Sequence, residues 1–267
     1  MAAARLADSA VTIFFSDIEL EYPGNWAMEF IRKPPGWRAW LRRLPPEHCV
    51  LCGATAVDLP LCSGCHADLP RLKHACPRCA EPMPSAGESL CGRCQQSMPL
   101  FDTVYSPYLY VAPVDVLIRR LKFEQRLHLA RLLGTLLADY LEHALHERPS
   151  LIVPVPMHRR RLAQRGFNQA LELARFVGGK LEIPVAPTLV TRTRPTRPQT
   201  DLKPGERERN VRGSFSASSR FPAGASVLLI DDVMTTGATA NAVARVLRRQ
   251  GAASVTVATV ARAMRTP

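Results

Sequence analysis

Residues 227–239 read Val227-Leu228-Leu229-Ile230-Asp231-Asp232-Val233-Met234-Thr235-Thr236-Gly237-Ala238-Thr239. Four consecutive apolar residues suit a strand covered on both faces, and two carboxylates follow where such a strand leaves its sheet. The Thr-Thr-Gly-Ala-Thr turn then opens a helical pattern that runs from Thr236 to Arg249. Free N–H groups and the dipole at a helix start hold a phosphate; threonine hydroxyls add donors, and Gly237 lets the backbone come close. Carboxylates accept hydrogen bonds from vicinal hydroxyls, so an acid pair beside a phosphate cradle suits a sugar phosphate. An ordinary helix cap requires neither the acid pair nor so long a turn.

Outward from this stretch, strands and helices alternate. Ser226 to Ile230, Ser254 to Val260 and Leu151 to Val155 read as buried strands, and Thr103 to Val111 is β-prone. Val114 to Leu145 is helical with a break around Arg119-Arg120-Leu121-Lys122-Phe123, and Asn168 to Val177 is a helix stopped by Gly178-Gly179. The fold class is therefore α/β, a parallel sheet with helices on both faces and its ligand site at the carboxyl ends of the strands. Arg159, Arg160, Arg161 and Arg165 follow a strand end, where they either grip a diphosphate or form a solvated basic face. Tyr105, Tyr108 and Tyr110 alternate as a half-buried strand face does, with base stacking the other reading.

All eight cysteines lie between positions 49 and 94, in four C-x-x-C pairs: Cys49/Cys52, Cys62/Cys65, Cys76/Cys79 and Cys91/Cys94. A two-residue gap lets one tight turn present two thiolates to one ion, so four pairs supply two tetrahedral zinc sites of four cysteines each. Both sequential pairing (first with second, third with fourth) and interleaved pairing satisfy this count. Four thiolates leave no position for water, so both zinc ions are structural, and a unit this short depends on them to fold. Disulfides are the competing reading; without an export signal a reducing, cytoplasmic setting is expected, which disfavours them.

The chain has 267 residues, 46% of them hydrophobic, which fits globular domains and excludes a mostly disordered or fibrous chain. Lys+Arg of 35 against Asp+Glu of 23 gives +12, and 30 arginines against 5 lysines favour planar phosphate contacts with an anionic partner. No integral membrane segment is expected, since no apolar run reaches the length of a span. Residues 1–48 read as an irregular tail. Within it Trp37, Trp40, Leu41 and Leu44 recur at helical spacing beside Arg38, Arg42 and Arg43, a short amphipathic helix for the neighbouring zinc unit or for a membrane or partner. The domains are then 1–48, a double zinc ribbon at 49–98, and a third at 99–267.

The stretch at 227–239 resembles the phosphoribosyl-pyrophosphate motif of type I phosphoribosyltransferases. Leu121-Lys122-Phe123, Pro154-Val155-Pro156 with Arg165-Gly166-Phe167-Asn168-Gln169, Gln199 with Leu202, and Arg209-Asn210-Val211 with Phe215 stand behind a multi-cysteine ribbon. Together they are similar to the ComF family of competence-associated, phosphoribosyltransferase-like proteins. The resemblance implies a type I phosphoribosyltransferase-like sheet. Asp231 and Asp232 would hold the ribose hydroxyls, Thr235, Thr236, Gly237, Ala238 and Thr239 the 5′-phosphate, and Arg165 the diphosphate, with Mg²⁺ arriving on the diphosphate. Thr191 to Arg212, with seven basic and three acidic residues, resembles the mobile loop that closes over it. Thr235 stands where purine-salvage members carry an acid, which counts against a 6-oxopurine acceptor.

Three functions are compatible with these residues: phosphoribosyl transfer, single-stranded DNA handling with other DNA-uptake proteins, and sensing of phosphoribosyl pyrophosphate. The family resemblance favours binding of phosphoribosyl pyrophosphate and a role in natural transformation. No residue is assigned as catalytic.

Overall fold

A computed structural model describes residues 13–15, 18–20, 47–85, 87, 89–194, 211 and 213–264. The chain divides into two units, Met1–Pro46 and Glu47–Pro267. In the first, β1 (Ile13–Phe15) pairs antiparallel with β2 (Ile18–Leu20). This is a correction to the irregular tail: a run of Ile and Phe with a two-residue connection is enough for one hairpin. The amphipathic pattern at 37–44 lies outside the described residues.

The second unit begins with two cysteine knuckles. β3 (Glu47–His48) pairs antiparallel with β4 (Thr55–Ala56). Two short helices, α1 (Ser63–Ala67) and α2 (Gly92–Gln96), each start directly after a cysteine. Cys62 caps α1, its Sγ accepting from Cys65 N at 3.5 Å, so the knuckle turn and the helix start are one feature.

After the knuckles come β5 (Thr103–Tyr105), β6 (Tyr108–Leu109), α3 (Val114–Phe123), α4 (His128–Ala144), β7 (Leu151–Pro154), α5 (Arg159–Arg165) and α6 (Gln169–Leu181). β8 (Val190–Arg192), β9 (Phe215–Ala217), β10 (Ser226–Met234), α7 (Ala238–Arg249) and β11 (Ser254–Arg262) complete the unit. The sheet runs β5-β11-β10-β7, with β6 also on β11, and every pairing in it is parallel. Alternate residues of β10 enter opposite layers. Leu228 and Ile230 pack with α3, α4 and α6, whereas Val227 and Leu229 pack with α7. Helices thus cover both faces, and each knuckle joins a different layer: Cys49 belongs to the first core, Cys76, Cys79, Cys91 and Cys94 to the second.

Three boundaries differ from the sequence pattern. β10 continues through Asp231 and Asp232 to Met234, because β11 offers partners out to Arg262. α7 begins at Ala238, not Thr236, since Gly237 takes a left-handed φ of 77° that ends the turn. α6 passes straight through Gly178-Gly179 and stops at Glu182, itself left-handed at φ 55°. Gly178 is there for close approach: a Cβ would stand 2.6 Å from Val185 Cγ2 and 2.8 Å from the Ile183 carbonyl. Replacing Gly178 with Ala is expected to cost about 1–3 kcal/mol of overpacking, offset in part by better helix propensity. The net change should lower Tm by a few degrees in a thermal melt, at about 2–4 °C per kcal/mol; an unchanged Tm would show that the Val185 segment yields.

Candidate functional site

β7 and β10 both deliver their carboxyl ends to one cavity of about 550 Å³. Asp231, Asp232, Thr235 and Thr239 line it from β10 and the turn into α7; Arg161 and Arg165 line it from α5, and Arg192 from β8. Gly237 and Ala238 line a small adjoining recess together with Asp231, Thr235 and Thr239. Thr236 lines neither: its Oγ1 accepts from Ala238 N at 3.3 Å, and its carbonyl accepts from Arg93. Of the four arginines after β7, Arg159 and Arg160 are exposed, while Arg161 and Arg165 turn to the cavity. Their i, i+4 spacing on a helix capped by His158 explains the division.

The acid pair is held in a defined electrostatic setting. Asp232, 7% exposed, receives the Lys122 ammonium from α3 at 2.6 Å. Burial works against the Lys122 charge, but Asp232 and then Asp231 outweigh it, and its pKa stays above the ordinary lysine value. Asp231 is pushed up to about 7, by burial first and by the neighbouring Asp232 second, with Lys122 opposing. Its Oδ1 accepts from Asp232 N at 2.9 Å, and Asp232 Oδ1 accepts from Val233 N at 2.7 Å. Across the cavity, burial and the nearby Arg161 lower the pKa of both Arg165 and Arg192. A molecule that places hydroxyls on the acids and anionic oxygens near the arginines relieves both sides at once.

Three cavity residues, Lys122, Phe123 and Gln169, carry no assigned role in the sequence, and Tyr110 joins them. Lys122 belongs to a quoted segment, yet its carboxylate partner is not visible at a separation of 110 positions. Tyr110 and Phe123 form apolar wall, with the Arg165 guanidinium 5.4 Å over the Phe123 ring. Gln169, 3% exposed at the start of α6, accepts from Arg165 through Oε1 at 3.1 Å, which leaves its Nε2 buried without a partner. Tyr105 meets Tyr140 edge-on at 6.5 Å, and Tyr108 is buried beneath Arg71. The segment read as a closing loop is rooted in the antiparallel β8–β9 stem, and its residues 195–210 and 212 lie outside the described residues.

The cysteines form two groups, Cys49, Cys52, Cys62, Cys65 and Cys76, Cys79, Cys91, Cys94, with sulfurs within 4.8 Å of one another in each. Pairing is therefore sequential, because each pair of neighbouring turns faces its own centre. Both groups fit tetrahedral zinc, which takes four thiolates. Burial raises the Cys49 thiol, but backbone N–H donors beginning with Cys62 outweigh this and bring it to about 6. Cys76 reaches about 7 through the same opposition.

The comparisons agree with this division of the chain. Residues 40–95 match the family model described as a double zinc ribbon domain, and residues 124–267 match the phosphoribosyl transferase domain. Competence protein F of Haemophilus influenzae is 32% identical over 210 residues, covering 76% of this chain and 90% of that protein. DNA utilization protein YhgH of Escherichia coli K12 is 35% identical over 202 residues, covering 74% and 88%. Competence protein ComFC of Bacillus subtilis is 27% identical over 213 residues, covering 77% and 85%. Among the described residues no helix is long and apolar enough to cross a membrane.

Two measurements test the site. Replacing Cys76 and Cys79 with Ser is expected to lower bound zinc from about two ions per chain to about one, read by a colorimetric chelator; an unchanged count would contradict the four-thiolate assignment. Asp231 gives a pH signature. Its folded pKa lies above the unfolded value, so its stabilising contribution is full below about pH 4 and is lost as pH rises through about 7. Urea unfolding at pH 5 and pH 8 should show this fall, and Asp231→Asn should flatten it.

Proposed function

This chain belongs to the ComF family, which joins a double zinc ribbon to a phosphoribosyltransferase domain, and from that premise we propose that it binds phosphoribosyl pyrophosphate and acts in DNA uptake. One observation carries the reading: an acid pair, Thr235 and Thr239 of the Gly/Thr turn, and Arg161, Arg165 and Arg192 line one cavity, with Gly237 and Ala238 in the recess beside it. The acids take the ribose hydroxyls, the turn takes the 5′-phosphate, and the arginines take the diphosphate. Mg²⁺ would arrive on the diphosphate beside the oxygen donors of Asp231 and Asp232, and there it would neutralise diphosphate charge. Zinc is structural and stays with the eight thiolates.

The DNA part of the reading rests on the names of the relatives, a competence protein and a DNA utilization protein. A second observation supports it. A groove of about 730 Å³ adjoins the cavity, sharing Asn168 and Arg192 with it and lined also by Arg159 and Arg175. Arg159 and Arg192 give this groove cationic contacts for a single-strand backbone, while Arg175 is paired with Glu172 at 2.8 Å. The setting of such a protein is cytoplasmic, where thiolates stay reduced and zinc-bound. Domain limits of 1–48, 49–98 and 99–267 fit this division of labour.

Calorimetric titration of phosphoribosyl pyrophosphate with Mg²⁺ tests the reading. Wild-type protein should bind. Asp231→Asn with Asp232→Asn should bind about 100-fold more weakly, since two charge-assisted hydrogen bonds of about 1.5 kcal/mol each are weakened. Equal affinity in a folded, zinc-loaded variant would place the sugar elsewhere. Affinity should also rise from pH 6 to pH 8, because ligand hydroxyls favour the ionised Asp231 carboxylate.

A further inference from the structure

The turn Thr235–Gly237 is held from behind by the second zinc knuckle. The Thr235 carbonyl accepts from Arg262 Nη1, and the Thr236 carbonyl accepts from Arg93 Nη1. Arg93 sits in α2 between the ligands Cys91 and Cys94. Arg262 is in turn fixed by the same knuckle, its Nε donating to the Cys79 carbonyl at 3.1 Å and its Nη2 pairing with Glu81.

The consequence is geometric. In a trans peptide the carbonyl of one residue and the N–H of the next point in opposite directions. Drawing the Thr235 and Thr236 carbonyls onto arginines therefore turns the Thr236 and Gly237 N–H groups the other way, away from the knuckle. Gly237 completes the constraint: its φ is 77°, and Arg93 Nη2 lies 3.8 Å from where a Cβ would stand. The two arginines also differ in charge. Arg262 is neutralised by Glu81, whereas among the described residues no carboxylate forms an ion pair with Arg93. Its positive charge stays on the turn that faces an anion.

We propose that Arg93 is a positioning residue for the phosphate subsite, which makes the second four-cysteine knuckle a working part of the sugar-phosphate site. The occupant it prepares for is a phosphomonoester on a sugar, and this identity rests on the reading given above. The orientation of the peptide groups does not depend on that reading.

The test uses the full, zinc-loaded chain with Arg93→Met and Arg93→Lys. Hydrogen exchange of the peptide spanning residues 233–240 is read by mass spectrometry without ligand, and ribose 5-phosphate and phosphoribosyl pyrophosphate with Mg²⁺ are titrated calorimetrically. Arg93→Met is expected to speed exchange at this segment about tenfold and to weaken ribose 5-phosphate about tenfold, the loss of one charged hydrogen bond. Zinc content should be unchanged, and Arg93→Lys should restore part of both effects. Should the Met variant shed zinc, the Lys variant decides alone: faster exchange confined to this segment supports the assignment, and wild-type exchange overturns it. Unchanged exchange and affinity in a zinc-loaded Met variant also overturn it. Wild-type protein that binds neither ligand would sink the phosphoribosyl-pyrophosphate reading, while the exchange measurement still decides the role of Arg93.

Discussion

Arg262 places a permanent positive charge where no solvent reaches it, at 0% exposure, and the junction of ribbon, sheet and phosphate turn is organised around it. A buried guanidinium is tolerated only when its donors are met, and breaking one partner of such a pair typically costs about 3–5 kcal/mol. Here Nη1 serves the carbonyls of Met234, Thr235 and Ala263, Nε serves Cys79, and Nη2 serves Glu81. These groups come from the end of β10, the turn, the end of β11 and the second knuckle. Glu81 balances the charge, and the carbonyls share the remaining donors. The ribbon and the parallel sheet therefore share one polar joint, in keeping with their place in a single unit.

A second set of contacts reinforces this joint with ordinary hydrogen bonds. Arg248 of α7 pairs with Asp102, which also accepts from Val255 N at 2.7 Å, and Arg78 of the second knuckle reaches the Pro99 carbonyl at 3.0 Å. The segment between the knuckles uses backbone: Leu72 N donates to Pro107 O at 2.9 Å and Leu109 N to Pro70 O at 2.8 Å. Arginine is thus spent on carbonyl groups as well as on the cavity. The +12 balance, read from composition as a preference for phosphate, has a second source in this use of the guanidinium fork to satisfy backbone acceptors. Arg131 on Asp58 O and Arg148 on Leu181 O follow the same pattern.

What the sequence made legible was local. The apolar run of Val227–Ile230, the acids that follow it and the four C-x-x-C pairs are short patterns whose chemistry is complete within a few residues, and they led to the parallel sheet and the double ribbon. What stayed hidden depended on distance in the chain. The sequential pairing of the cysteines, the Lys122–Asp232 ion pair and the hold of Arg93 on Thr236 each require two segments to be set side by side. Gly178 shows the opposite error. As a local signal it reads as a helix stop, but the close approach of Val185 and Ile183 is a tertiary reason for a glycine inside α6, and tertiary packing overrides propensity.

At the same end of β10, Lys122 sets the charge balance of the acid pair. Two adjacent carboxylates repel, and for Asp231 burial adds to this repulsion and raises its pKa. Lys122 resolves this asymmetrically: it lies 2.6 Å from Asp232, while Asp231 remains near 7. One acid is committed to its ion pair, and the other keeps a raised pKa at the cavity. Because β10 carries both acids and leads straight into the turn held by Arg262 and Arg93, their spacing from that turn is set by the strand and the knuckle together. The acids and the turn are then placed by elements that are themselves fixed by a buried charge and a four-cysteine knuckle.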